Sequence, residues 1–130
     1  EPSEAPSDRN IFGFLELSLS SRKFGIEAKA TEYDGEIVVR QGSTAVANGD
    51  HSMNQYGHLR EQLIAEGKLV PQEGSELLVF TEDVAFKSPS AASATLYDRN
   101  DNGRRSWRVA KTGQTLAEWQ DAQAQEASAE

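Results

Sequence analysis

A chain of 130 residues holds one domain's worth of sequence, enough for a single hydrophobic core. Apolar residues make up 37% and charged residues 26%, and no apolar run approaches the ~18–20 residues of a membrane-spanning helix, so no membrane role is expected. The absence of cysteine excludes disulfides, thiolate zinc sites and thiol catalysis and fits a cytoplasmic setting, while a net charge of −8 argues against indiscriminate nucleic-acid binding by the whole surface.

Residues 1–10 carry two prolines, three acids and no large apolar side chain, the composition of a disordered tail. Residues 121–130 also lack a large apolar residue and read as a fraying helix end or a second tail, which leaves 11–120 as a single folded domain. No secretory leader is visible, and the start at Glu1 rather than Met suits an excised piece. In residues 11–20, Leu15, Leu17 and Leu19 alternate with Glu16, Ser18 and Ser20, the period of a half-buried strand. Two alternating segments then flank Asp34-Gly35, a two-residue type I′ hairpin signal. Pairing Tyr33 with Glu36 puts Ile26, Ala28, Ala30, Ile37 and Val39 on the core face.

Residues 42–51 read as a loop. Ser52 and Gln55 have the spacing of a capping box for a helix carrying Tyr56, Leu59 and Leu63 on one face, with Gly67 ending it. Short strands are expected at 68–70 and 76–81. Ser88-Pro89 opens a second helix, whose body of small residues suits close packing. Residues 100–103 read as a flexible polar turn and 105–109 as a short strand with Trp107 inward. Thr115 and Glu118 form a further capping box. The expected fold class is α+β: a mainly antiparallel sheet with an early hairpin and about three helices packed on it.

Catalytic chemistry is poorly served. Asp50, His51 and His58 are too few for a metal site, so no metal and no cofactor is expected. Glu82-Asp83 and Asp98/Asp101 lack the apolar, concave setting that separates carboxylate pKa values. No serine sits in a nucleophile elbow, and no glycine run makes a phosphate loop. No catalytic residue is assigned, and the chain reads as not an enzyme. Charge is unevenly distributed. Lys87, Arg99, Arg104, Arg105, Arg108 and Lys111 face only Asp98 and Asp101 within 87–111, whereas the rest of the chain carries seven bases and nineteen acids. Arginine forks beside an aromatic residue and a polar turn suit phosphate contact. The bland alternative is a solvated basic edge that balances an acidic body.

Several strings together resemble a family of unknown function that follows GIY-YIG nuclease domains at their C-terminus. They are Gly25-Ile26-x-Ala28, Asp34-Gly35 with the strand after it, Gly42-Ser43-x-Ala45 and Leu59-Arg60-x-x-Leu63-Ile64-x-x-Gly67. Further on come Phe80-Thr81-Glu82-Asp83, Phe86-x-Ser88-Pro89-Ser90-Ala91-Ala92, Asn102-Gly103, Trp107 and Gly113-x-Thr115-Leu116. The second half also resembles the domain associated with restriction enzymes and adenine methylases. The resemblance implies company with a nuclease or methylase domain, in the parent chain or a partner chain, and no reaction of its own. The two nuclease motifs are absent. The expectation is a noncatalytic accessory domain of a DNA-processing protein. Arg99, Arg104, Arg105, Arg108 and Lys111, then Asn102 and Lys87, would touch DNA from one basic patch. The alternative is a protein-interaction or structural module with no nucleic-acid role.

Overall fold

Period-two alternation builds the centre of the molecule. The computed structural model describes residues 14–49 and 54–129. The elements are β1 (Phe14–Ser21), β2 (Ile26–Tyr33), β3 (Glu36–Val39), β4 (Thr44–Ala45), α1 (Gly57–Ala65), β5 (Leu69–Pro71) and β6 (Leu78–Phe80). They continue with β7 (Val84–Phe86), α2 (Pro89–Tyr97), α3 (Gly103–Ser106), β8 (Arg108–Val109) and α4 (Leu116–Ala129). Every strand pair is antiparallel, in a five-stranded sheet ordered β7-β3-β2-β1-β8 and a three-stranded sheet ordered β4-β6-β5. The chain is therefore an α+β domain. No helix among the described residues is long and apolar enough to cross a membrane. The N-terminal tail reading, residues 11–13, and Asp50, His51 and Ser52 lie outside the described residues.

The hairpin has the expected register, with Tyr33 opposite Glu36. Asp34 and Gly35 both take positive φ, 55° and 87°, as a type I′ turn requires. Ile26, Ala28, Ala30, Ile37 and Val39 are all buried, and Leu15, Leu17 and Leu19 extend the same face. That face packs on α2, Trp107, Phe80, Phe86 and Leu116, so one face of the sheet is the core, and among the described residues no helix covers the other.

Local signals near the helices are partly redirected. Among the described residues the first helix, α1, starts at Gly57, with Tyr56 at its N-cap and no side-chain cap, and Ser52 of the expected box lies outside the described residues. The Gln55 amide donates to Asn100 Oδ1 at 2.8 Å. At its C-terminus the Lys68 and Gly67 amides close on the Leu63 and Ile64 carbonyls, the paired bonds of a Schellman ending. Residues 42–51 are not loop throughout, since Thr44–Ala45 pairs with β6. Residues 103–106 coil into the single turn α3, so the strand expected at 105–109 shrinks to Arg108–Val109. The Thr115–Glu118 box forms reciprocally: the Glu118 amide donates to Thr115 Oγ1 at 3.1 Å and the Thr115 amide to Glu118 Oε1 at 2.9 Å.

Candidate functional site

The strings Ser88-Pro89-Ser90-Ala91-Ala92, Asn102-Gly103 and Trp107 meet in space as one packing unit. Ser88 caps α2, accepting from the Ala91 amide at 3.0 Å. The Pro89 carbonyl accepts the Trp107 indole N–H at 3.2 Å, and the Ser90 hydroxyl accepts the Gly103 amide at 2.9 Å. A Cβ on Gly103 would collide with the Pro89 and Ser90 backbone, so only glycine lets α3 sit this close. Ala91, Ala92 and Ala94 are buried against the core, and Trp107 is fully enclosed. Asn102 is spent on structure, because its Oδ1 accepts the Arg104 amide and caps α3. The turn at 100–103 is therefore held at its downstream end.

A second buried lock joins α1 to the end of α2. Arg60 is 2% exposed, and its guanidinium donates to the Thr95, Val46 and Ala47 carbonyls at 2.6–2.9 Å. Its Nε lies 3.4 Å from Asp98 Oδ1. Asp98, buried and in the left-handed region at φ 55°, also accepts from the Asn54 amide group and the Gly49 backbone. Burial pushes the Arg60 pKa down from its ordinary value, and the Asp98 charge opposes that shift. Asp98 is thus a buried structural carboxylate. Its partner Asp101 is only partly exposed and accepts from the Ser106 hydroxyl. Asp83 accepts the Gln41 amide at 2.8 Å. His58 is exposed, and among the described residues no group of three His, Cys, Asp or Glu is placed to hold a metal.

The basic residues of 87–111 do not gather into one patch. Arg104 lies along α4, donating to Gln120 Oε1 at 2.7 Å and standing 3.7 Å from Asp121. Arg105, beside it on α3, is exposed and makes no ion pair among the described residues. Arg108 points to the open side of β8, where its guanidinium donates to the Gly113 carbonyl at 2.8 Å. Lys111 sits 4.8 Å from the Trp119 ring centroid. These four form the α3–β8–α4 edge. Arg99 turns elsewhere, 4.7 Å from the Tyr97 ring and 5.5 Å from Phe24 in the β1–β2 turn. Burial raises the Tyr97 pKa, and the Asp101 charge adds to the rise. Lys87 follows β7, at the sheet edge opposite β8, beside the hairpin turn.

The fold brings in cations that the linear charge run missed. Lys23 stands 5.3 Å from the same Phe24 ring that Arg99 approaches. Separate from this cluster, an open groove of about 1020 Å³ lies on the outward face of the five-stranded sheet, lined by Arg22, Lys29 and Arg40 together with Ser18, Ser20 and Glu27. In the sequence these bases are diluted by Glu16, Glu27 and Glu32, so no window stands out. The strand alternation that placed Leu17 inside was the available signal, because it also places Ser18 and Lys29 outside.

The arrangement defines a small α+β domain with a sealed helix-covered face and a bare polar sheet face carrying cations at its tip and edge. The sequence profile of the family described as a domain of unknown function (DUF4357) matches residues 17–120, and the chain belongs to that family. No curated protein and no solved structure matches the chain.

Proposed function

We propose that the chain is a noncatalytic accessory domain of a cytoplasmic DNA-processing protein of the nuclease or restriction–modification type, adding weak contact to nucleic acid. The observation that carries this reading is the α3–β8–α4 edge. There Arg104, Arg105, Arg108 and Lys111 stand exposed on a segment anchored by the buried Trp107, on a chain otherwise rich in acid. Rigid anchoring lowers the entropy lost when the guanidinium forks engage phosphate. The resemblance to domains that follow GIY-YIG nucleases supports the same company.

The test is a titration of short labelled DNA at low salt. Binding should be weak, about 10⁻⁴–10⁻⁶ M, and should fall steeply as salt rises. Combined Arg104→Ala, Arg105→Ala and Arg108→Ala replacement should weaken it. Absence of binding at low salt would reassign the domain to protein interaction, with the basic edge a solvated border.

A further inference from the structure

The open face of the five-stranded sheet is organised by register. Ser18 lies opposite Lys29 on β2 and opposite Arg108 on β8. The Arg40 amide donates to the Lys29 carbonyl at 2.8 Å, so Arg40 continues the line. One row therefore crosses the sheet as Arg108, Ser18, Lys29 and Arg40, spaced by the ~4.8 Å between neighbouring strands. Lys29 makes no ion pair among the described residues, and the same holds for Arg22 at the end of the groove. Outside the groove, next to Arg22 in the chain, Lys23 and Arg99, 76 positions apart in the sequence, flank a single Phe24 ring. Arg99 is countered there by Asp101, whose Oδ1 lies 3.9 Å from its guanidinium, which leaves Lys23 and Arg22 as the charges an anion would relieve.

The opposite end of the same face carries an aromatic surface. Tyr33 is 47% exposed and stacks on Phe14 with ring centroids 4.5 Å apart. In the register of β1 and β2 this pair lies two open-face rows, ~13 Å, from the cationic row. Acids are present too. Glu16 is engaged by Arg40 at 4.0 Å and by the Thr31 hydroxyl at 3.3 Å, which leaves Glu27 as an exposed acid on the groove floor.

We infer that this groove binds a single strand of nucleic acid, with phosphates along Arg22, Lys29 and Arg40 and a base against Tyr33. The inference rests on the nucleic-acid reading above. A cationic track beside an exposed aromatic ring is the combination that serves single strands, whose bases are free to stack. A duplex keeps its bases stacked inside and gives Tyr33 no partner.

The experiment compares a single-stranded oligonucleotide of about 12 nucleotides, a length within the usual site sizes, with its duplex, using the full chain at low salt. The chain should prefer the single strand. Replacing Arg22, Lys29 and Arg40 by Ala together should lower single-strand affinity by about tenfold or more. It should also flatten the slope of log K against log salt by about 2, since three contacts contribute ~0.7 each. Tyr33→Ala should weaken single-strand binding by at least about fivefold, and Glu27→Lys should tighten it. Unchanged affinity in the groove variants, a preference for duplex, or equal competition by poly-glutamate would overturn the groove assignment while leaving the accessory role standing. No binding of either nucleic acid would remove the accessory role itself.

Discussion

The two faces of the five-stranded sheet are made by the same strands and have opposite fates. On β1 and β2 the inward positions Leu15, Leu17, Leu19, Ile26, Ala28 and Ala30 are buried, while Glu16, Glu27 and Lys29 are exposed. The inner face is closed by α2 and Trp107, and the residues that close it are tied to each other by backbone contacts. Among the described residues the outer face has no such cover along the groove, and hydroxyls complete its backbone hydrogen bonding. The Glu27 amide donates to Thr44 Oγ1 at 2.9 Å and the Lys29 amide to Ser43 Oγ at 3.0 Å, joining β2 to the smaller sheet beyond the end of β3. Stability and the proposed binding thus fall on positions one residue apart along each strand, and substitutions should divide accordingly.

The sharpest way to break that division is at the sealed face. Trp107→Ala should cost about 3–5 kcal/mol, the usual range for a buried Trp, and calorimetry should show a large fall in Tm. A comparable loss, about 3–5 kcal/mol, is expected for Asp98→Ala, which leaves the Arg60 guanidinium buried without its carboxylate. Asp98→Asn, which retains an acceptor and tolerates the left-handed backbone, should lose less in the same urea titration. Gly103→Ala should cost about 1–3 kcal/mol because α3 must move off the start of α2. Its signature would be altered Trp107 fluorescence as well as a lower midpoint. At the hairpin, Gly35→Val should cost about 1–2 kcal/mol through the left-handed penalty alone, since a Cβ there meets nothing within 4 Å. An unchanged unfolding midpoint would mean that the turn does not demand its positive φ. On the open face, Lys29→Ala should shift stability by less than about 0.5 kcal/mol. If it unfolds the domain, the separation of the two faces fails.

Much of the fold was legible because its signals are local. Asp34-Gly35 fixes its own turn, and with it the register that sends Ile37 and Val39 inward. Ser88 and Thr115 cap the helices that follow them. Other local signals lost to distant partners. The Gln55 amide is claimed by Asn100, 45 residues away, and the described helix begins two residues later at Gly57. Gly103 and Asn102 form the start of a helical turn because Ser90 and Pro89 receive them, a contact that no nearby pattern encodes.

The candidate site divides in the same way. The excess of base over acid between Lys87 and Lys111 can be read in one dimension, and it is real as composition. Where those charges lie is a three-dimensional matter: Lys87 and Arg108 stand at opposite edges of one sheet, and Arg99 joins Lys23 across the Phe24 ring. The sequence by itself determined the α+β class, the hairpin, the inward set of strand residues and the main caps, because each depends on side-chain period or on a backbone angle within a few residues. Only the tertiary structure decided which charges became neighbours and which carboxylate was buried. Electrostatic interaction depends on distance through space and on solvent exposure, and the chain sets neither until strands far apart in sequence have paired.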